Sequence, residues 1–227
     1  MSVTSPDGAI RWAVVLADAA AAGAAPPGID GRAYALAMCE DVIELVGELS
    51  IVTPAVLVRP GDDVRWADDV AGLCWPGTPL AEAPSGAGSD SAGSAVLAGL
   101  AFAAAGGADA AAVVAGDAPD LPGLLLGKLF RALGSAEVAV SSTDIGELVA
   151  LAARLPAPGW LSAEAAGLDS VLGGAVERLS AAAGDPRRVA SGPGWHRLRQ
   201  PADVRRLDPG LEGWASTRAM LSVPARD

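Results

Sequence analysis

The stretch AAAVVAGDAPDLP (residues 110–122) decides the fold. Its first six residues, Ala110 to Ala115, are all small or β-branched and apolar, which is typical of a central strand buried on both faces of a sheet. Gly116 and Asp117 end this strand, and Pro122 begins a predicted helix that runs to Leu133. A buried strand that leads directly into a helix predicts an α/β fold.

The same alternation continues on both sides of this stretch. Upstream, the pattern predicts strands at 11–16, 52–58 and 72–75, helices at 32–49 and 91–105, and a long loop at 17–31. Either Ser89 or Asp90 would cap the second of these helices. Downstream, it predicts strands at 138–141, 147–152 and 195–199 and helices at 168–183 and 201–207. This order favours a three-layer sandwich around a central mixed, mostly parallel sheet, with an antiparallel insertion late in the chain.

The composition gives no sign of a domain boundary, and we expect residues 1–227 to form a single domain. Residues 208–227 form a predicted C-terminal docking tail, in which Leu211, Trp214 and Met220 follow an amphipathic pattern. The tail could dock on its own domain, which we favour, or on a second copy of the chain, forming a homodimer.

The charge of the chain excludes several classes of partner. A net charge of -11 and a single lysine leave no basic stripe for phosphate backbones, so we expect neither nucleic acid nor an anionic membrane as a partner. The sequence also contains no uninterrupted apolar run of the roughly 18 residues that a membrane-spanning helix would need. Cys39 and Cys74 lie far apart, without metal-binding spacing, which favours a reducing compartment and a cytoplasmic location.

Two carboxylates follow the predicted central strand, at Asp117 and Asp120. In open α/β sheets, ligands bind beyond the carboxyl ends of the strands, where Asp117 should lie. A carboxylate there is a hard oxygen ligand for Mg²⁺ or Mn²⁺ that carries substrate phosphates. Asp120 has a simpler alternative role, because its position before Pro122 would also let it cap the following helix.

Other motifs argue against competing chemistries. His196 is the only histidine and has no evident orienting partner, which disfavours hydrolases that need a nucleophile paired with histidine. The stretch GAGSDSAG, Gly86 to Gly93, does not match the dinucleotide-binding fingerprint, so an α/β oxidoreductase is the weakest hypothesis.

The run AGDAPDLP, preceded by GADAAAVV and followed by LLLGKLFRAL, resembles the metal-binding segment of GT-A-type nucleotidyltransferases and glycosyltransferases. The most similar subgroup is that of the radical-SAM/selenodomain-associated transferases, near the phospholactate and phosphoenolpyruvate guanylyltransferases. SGAGSDSAGSAVLAGLAFAAAGGAD resembles the family's glycine-containing loop and helix, and QPADVRRL resembles its closing helix. The resemblance extends from Arg11 to Leu207, and only the segment around Asp117 is specific.

This resemblance implies a GT-A fold that binds a nucleotide or nucleotide-sugar donor over the first strand. It further implies transfer of a nucleotidyl or glycosyl group to a small-molecule acceptor, assisted by Mg²⁺ or Mn²⁺. Asp117 would be the metal ligand and the catalytic residue. The expected substrate-binding residues are Gly116, Asp120, Ser89, Asp90 and Arg199.

The chain departs from the family at two positions that matter for phosphate binding. The loop after the first strand, residues 17–31, contains no lysine and no arginine. Where the family completes its metal site with an acidic pair, this chain has His196-Arg197-Leu198-Arg199. Arg199 could replace the lost ion by contacting a phosphate directly. The family's acidic DGG turn is reduced to Asp144-Ile145-Gly146, where an ordinary turn is the simpler interpretation.

These departures predict a transferase-like protein whose catalysis is impaired or altered. The alternative is a non-catalytic relative that binds a ligand or a protein partner. If the chain is active, Asp117→Ala should abolish activity with little change in melting temperature.

Overall fold

The structure is a computed structural model that describes residues 8–59, 61, 63–84, 92–162 and 174–222. Within these residues, the strands are β1 (Arg11–Asp18), β2 (Thr53–Arg59), β3 (Leu80–Glu82), β4 (Ala110–Ala115), β5 (Val138–Ser142), β6 (Leu148–Arg154) and β7 (Val189–Ser191). The α-helices are α1 (Gly31–Glu48), α2 (Trp66–Leu73), α3 (Ala92–Ala105), α4 (Gly123–Ala132), α5 (Ala175–Ala183) and α6 (Ala215–Ser222). Shorter 3₁₀ helices lie at Ala19–Ala24, Pro186–Arg188 and Pro201–Arg206.

The strands form one sheet in the order β3-β2-β1-β4-β6-β5-β7. β6 is antiparallel to both of its neighbours, and the other neighbouring pairs are parallel. The predicted mixed, mostly parallel sheet with a late antiparallel insertion is therefore confirmed. The chain passes from β1 to β2 on one side and later to β4 on the other, which makes the gap between the ends of β1 and β4 a topological switch point.

Both faces of the sheet are covered by helices because its central strands are apolar throughout. Every residue of β4 is buried. Alternate strand residues contribute to two separate hydrophobic clusters, one beneath α1, α2 and α4 and the other beneath α3 and α5. This arrangement leaves the two edges where the strands begin and end as the places where polar side chains can gather.

Two predicted strands are wrong. Residues 72–75 belong to the end of α2 and the turn after it, because Trp66 and Val70, four residues apart, bury one face of a helix. The third strand of the sequence is instead Leu80–Glu82. Residues 195–199 form an extended segment that takes no place in the sheet, and β7 lies earlier, at Val189–Ser191.

The segment after β1, predicted as a long loop, contains the 3₁₀ helix Ala19–Ala24. The side chain of Asp18 caps this helix by accepting from the backbone N–H of Ala20 at 3.0 Å. A side chain at Gly31 would come within 2.7 Å of the carbonyl oxygen of Ala22, so this glycine allows the segment to pack against the start of α1. The resulting contact covers the N-terminus of α1, which is also capped by Asp30.

Near its end, the described chain packs against α1. The buried carboxylate of Asp41 on α1 accepts the backbone N–H groups of Ser216 and Thr217, both at 2.9 Å, and so caps the N-terminus of α6. Burial raises the pKa of Asp41, and the two N–H groups oppose that increase. Among the described residues, no helix is both long and apolar enough to cross a membrane.

Candidate functional site

The candidate site lies where β1 and β4 end, which we term the carboxyl edge of the sheet. Gly116 follows β4, and its N–H donates to the carbonyl of Leu16 in β1 at 3.1 Å. A Cβ atom at this position would approach that carbonyl oxygen to 2.7 Å. Gly116 is therefore required for the two strands to remain close while the chain turns Asp117 toward the switch point.

Asp117 forms a buried, two-bond ion pair with Arg197. Arg197 Nε lies 2.6 Å from Oδ1 of Asp117, and Nη2 lies 2.8 Å from Oδ2. The two side chains are only 4% and 5% exposed. Arg197 Nη1 also donates to the carbonyl of Leu148 at 3.1 Å, and the N–H of Leu198 donates to the carbonyl of Asp117 at 2.8 Å. Both carboxylate oxygens and the backbone of Asp117 are thus bound to other parts of the chain.

Arg199 approaches the same carboxylate, with Nη1 3.5 Å from Oδ2 of Asp117. Its side chain is 32% exposed and so reaches solvent at the mouth of the site. Alternate residues of an extended segment point to the same side, which explains why Arg197 and Arg199 both face Asp117. Arg199 was predicted from the sequence as a site residue and Arg197 was not, although the same period of two would have indicated it.

Asp120 does not cap α4, the alternative that its position suggested. Its Oδ1 accepts from Trp195 Nε1 at 3.1 Å and lies 2.9 Å from His196 Nε2. Its Oδ2 accepts from the N–H of Asp208 at 3.1 Å. Burial disfavours the ionised form, but these donors outweigh it and hold the pKa of Asp120 below its usual value. The expectation that His196 lacks a partner is therefore wrong.

Other acidic side chains at this edge are also paired. Asp18, at the end of β1, lies 2.6 Å from Nη1 of Arg59, at the end of β2. Arg32 contacts both Asp63 and Asp69. The region around the loop that lacks basic residues therefore does contain arginines, which come from neighbouring elements and already contact carboxylates.

Among the described residues, a small cavity lies between the ends of β1 and β4. The cavity that Asp18, Gly116, Asp117 and Arg197 help to line has a volume of about 10 Å³, which is room for a single water molecule. Cys39 lines it from α1 as a buried free thiol, and burial raises the pKa of that thiol. Ligand pockets for nucleotide-sized molecules are larger, at roughly 300–1,000 Å³.

The side chains of this site do not suit a divalent cation. An ion at Asp117 would have to displace the guanidinium of Arg197 from both carboxylate oxygens and then lie beside that positive charge. Across the part of the chain that the structure describes, no group of three histidine, cysteine or acidic side chains is arranged to hold a metal ion. The Mg²⁺ or Mn²⁺ implied by the resemblance therefore finds no matching ligand set here.

Two predicted site residues cannot be placed, and the acidic turn at Asp144 lies apart from Asp117. Ser89 and Asp90 fall outside the described residues, as does most of the Gly86 to Gly93 stretch. Asp144 lies in the turn between β5 and β6 and pairs with Arg206 through two contacts, at 3.0 and 3.2 Å. The structure thus brings Gly116, Asp117 and Arg199 together and places Asp120 in a neighbouring cluster.

Comparison with known proteins shows the fold. No protein-family model and no curated protein matches the chain by sequence. A protein assigned to the nucleotide-diphospho-sugar transferases, from Desulfovibrio desulfuricans G20, is similar in structure with a TM-score of 0.63 at 17% identity, covering 93% of each chain. For 4-diphosphocytidyl-2C-methyl-D-erythritol synthase from Anaerococcus prevotii, the TM-score is 0.59 at 14% identity, over 88% of this chain and 94% of that one.

Glucosyl-3-phosphoglycerate synthase from Mycobacterium tuberculosis, in a structure with Mn²⁺ and UDP, gives a TM-score of 0.51 at 14% identity. The match covers 95% of this chain and 78% of that one. At these identities the likeness establishes a nucleotide-sugar transferase-like fold and nothing finer.

Proposed function

We propose that the chain is a nucleotidyltransferase- or glycosyltransferase-like protein in which metal-assisted transfer is impaired. The observation that carries this proposal is the pairing of both Asp117 oxygens with Arg197 at 2.6 and 2.8 Å. A guanidinium is permanently charged and matches a carboxylate with two parallel bonds. Arg197 thus supplies in the folded chain the positive charge that the family takes from a divalent cation.

The pairing of charges at the carboxyl edge supports the same proposal. A donor phosphate would have to compete with Asp117 for Arg197 and with Asp18 for Arg59. Arg199 is the side chain that we propose for any remaining phosphate contact, because it is partly exposed and its nearest Asp117 oxygen is 3.5 Å away. Ser89 and Asp90 remain proposed donor contacts, and the radical-SAM/selenodomain-associated subgroup remains the proposed affiliation.

A second candidate is a non-catalytic relative that binds a ligand or a protein partner. The cavity of about 10 Å³ between β1 and β4 favours it, since a nucleotide base needs far more room. None of the described residues supports the oxidoreductase hypothesis, which remains the weakest of the three.

The proposal can be tested by thermal shift with ATP, GTP, CTP, UTP and common nucleotide-sugars, each with Mg²⁺, with Mn²⁺ or with EDTA. A ligand that binds the native state raises its apparent stability in proportion to RT ln(1 + [L]/Kd). We expect any shift to be the same with metal and with EDTA and to decrease in Arg199→Gln. The matched control is Arg205→Gln, which changes another exposed arginine on the same C-terminal side of the chain.

The outcomes separate the candidates. A shift that requires metal and disappears in Asp117→Asn would refute impaired metal-assisted transfer and establish a working donor site. The absence of any shift would favour the non-catalytic relative. A shift that is independent of metal and depends on Arg199 would support the altered site proposed here.

A further inference from the structure

A groove lies at the opposite edge of the sheet, where β1 and β4 begin and β6 ends, which we term the amino edge. Its volume is about 660 Å³. That size falls within the roughly 300–1,000 Å³ that is usual for small-molecule pockets. Ala110 lies at the start of β4 within the groove, and apolar walls are provided by Ile51, Leu124 and Phe130.

Positive charge is concentrated in this groove although the chain as a whole is strongly acidic. Arg11, Arg131 and Arg154 line it together with a single acidic residue, Asp109. The lining therefore carries an excess of two positive charges, whereas the net charge of the protein is -11. The carboxylate of Asp109 already accepts the backbone N–H of Ile10 at 2.8 Å.

Arg154 and Arg131 are held differently, and both keep N–H groups that can donate to a ligand. Arg154 donates through Nε to the carbonyl of Leu133 at 2.8 Å, and Nη2 contacts the same oxygen. A guanidinium has five N–H donors, so this contact uses only some of them. Arg131 is exposed and, among the described residues, forms no ion pair. The nearby carboxylate of Glu137 is bound by Arg188 at 2.8 Å and by Trp160 Nε1 at 2.7 Å.

Phe130 lies at the base of the groove, where its side chain is only 3% exposed. The guanidinium of Arg11 lies 5.6 Å from the ring centroid of Phe130, within the range of a cation–π contact. The side chain of Leu124 is 68% exposed, whereas the other leucines of α4 are buried. Charged and apolar groups are thus available side by side.

We propose that the amino-edge groove binds a small organic anion with a flat apolar body. A phosphate or carboxylate group would accept from Arg131 and Arg154, and the apolar body would pack on Leu124 and Ile51. This inference does not depend on the proposed function, because the groove shares no residue with the carboxyl edge.

The probe for this site is 1-naphthyl phosphate, titrated into ¹⁵N-labelled protein and followed by amide shifts in NMR spectra. We expect saturable shifts at amides around Gly127, Phe130 and Gly134, with weaker effects from 1-naphthol and from inorganic phosphate. Loss of one charge-assisted contact should weaken binding by about tenfold or more in Arg131→Gln. Arg187→Gln, an exposed arginine outside the groove, is the matched control and should bind like the wild type.

Three results would overturn the proposal. These are the absence of saturable binding, equal binding by Arg131→Gln and wild type, and shifts confined to the carboxyl edge around Gly116. Because Arg131 is exposed, its variant should fold normally, and Leu124→Ala provides a second test through the apolar contact. Weaker naphthyl phosphate binding in both variants would support the proposal.

Discussion

The two edges of the sheet differ in how their charges are used. At the carboxyl edge, where open α/β proteins place their ligands, Asp18, Asp117 and Asp120 all contact basic side chains, and the cavity that the described residues enclose beside Asp117 is about 10 Å³. At the amino edge, a groove of about 660 Å³ keeps an exposed arginine that has no acidic partner among the described residues. A fold determines where a site can form, and the pairing of side chains there determines which groups remain available to a ligand.

Burying the Arg197–Asp117 pair costs desolvation free energy, and removing one of its partners destabilises the fold. Both charges lose most of their contact with water, and their hydrogen bonds compensate for that loss. When one partner of such a pair is removed, the other charge stays buried without that partner. The carboxyl edge is therefore expected to be structurally rigid, whereas the exposed arginine of the amino edge can change its partners.

The largest contrast should come from the same substitution made at each edge. Arg197→Gln should lower the free energy of unfolding by up to about 3–5 kcal/mol, because it leaves the buried Asp117 with only the partly exposed Arg199, 3.5 Å away, as a counter-charge. Arg131→Gln should change it by less than about 0.5 kcal/mol, since that side chain is exposed. Urea denaturation of both variants measures the difference.

The double variant Asp117→Leu with Arg197→Met serves as the control, and it should recover much of the loss by removing both charges. Equal stability of the two single variants would contradict the comparison. The same reasoning revises the expectation for Asp117→Ala, which should now lower the melting temperature because Arg197 would lose its partner.

A smaller contrast is expected from one glycine at each edge. Gly116→Ala should cost about 1–3 kcal/mol, because the new methyl group would meet the Leu16 carbonyl oxygen at 2.7 Å. Gly127→Ala should stabilise by up to about 1 kcal/mol, because it lies within α4 and the nearest atom, on Ile51, is 3.8 Å from the added carbon. Thermal unfolding of the two variants should give shifts of opposite sign, and shifts of the same sign would break the contrast.

The smallest effect should appear in the pH dependence of stability. A carboxyl group whose pKa is lowered by folding contributes stability above its unfolded value of about 3.9, and this is lost as the pH falls through the folded pKa. The pKa of Asp120 is lowered in this way by its three donors. Between pH 5.5 and 2.5, the free energy of unfolding should therefore decrease less steeply in Asp120→Asn than in the wild type.

Glu212→Gln, a change at an exposed acidic residue, is the control for this experiment and should leave the slope of the wild type. An unchanged slope in Asp120→Asn would show that the cluster of Trp195, His196 and Asp208 does not favour the ionised carboxylate.

Much of the fold followed from local patterns in the sequence. β4 and α4 were predicted almost residue for residue, because an apolar run and a proline mark their limits. α2 was missed because its buried face consists of only Trp66 and Val70, too few for a clear helical period. In the extended segment at 195–199, backbone N–H groups donate to the carbonyls of Ser142 and Asp117, and the segment does not pair with a strand. Sequence patterns do not distinguish such a segment from a strand.

The candidate site was predicted less completely, because its contacts join distant parts of the chain. The sequence indicated that Asp117 would lie at the end of β4, yet its partner Arg197 lies 80 positions later. Asp18 and Arg59 are 41 positions apart and meet only because β1 and β2 are parallel neighbours. The loop that lacks basic residues suggested an uncompensated site, whereas the sheet brings arginines to it from other strands and helices.

The Arg197–Asp117 pair also constrains how this protein can evolve. Conversion of Asp117 into a cation-binding carboxylate would require the loss of Arg197, and that single step passes through a variant in which only the partly exposed Arg199 opposes the buried charge. Natural proteins stand only slightly above the stability that function demands, so such an intermediate would be removed by selection. Such a conversion therefore needs a compensating substitution first, which makes the present arrangement resistant to change.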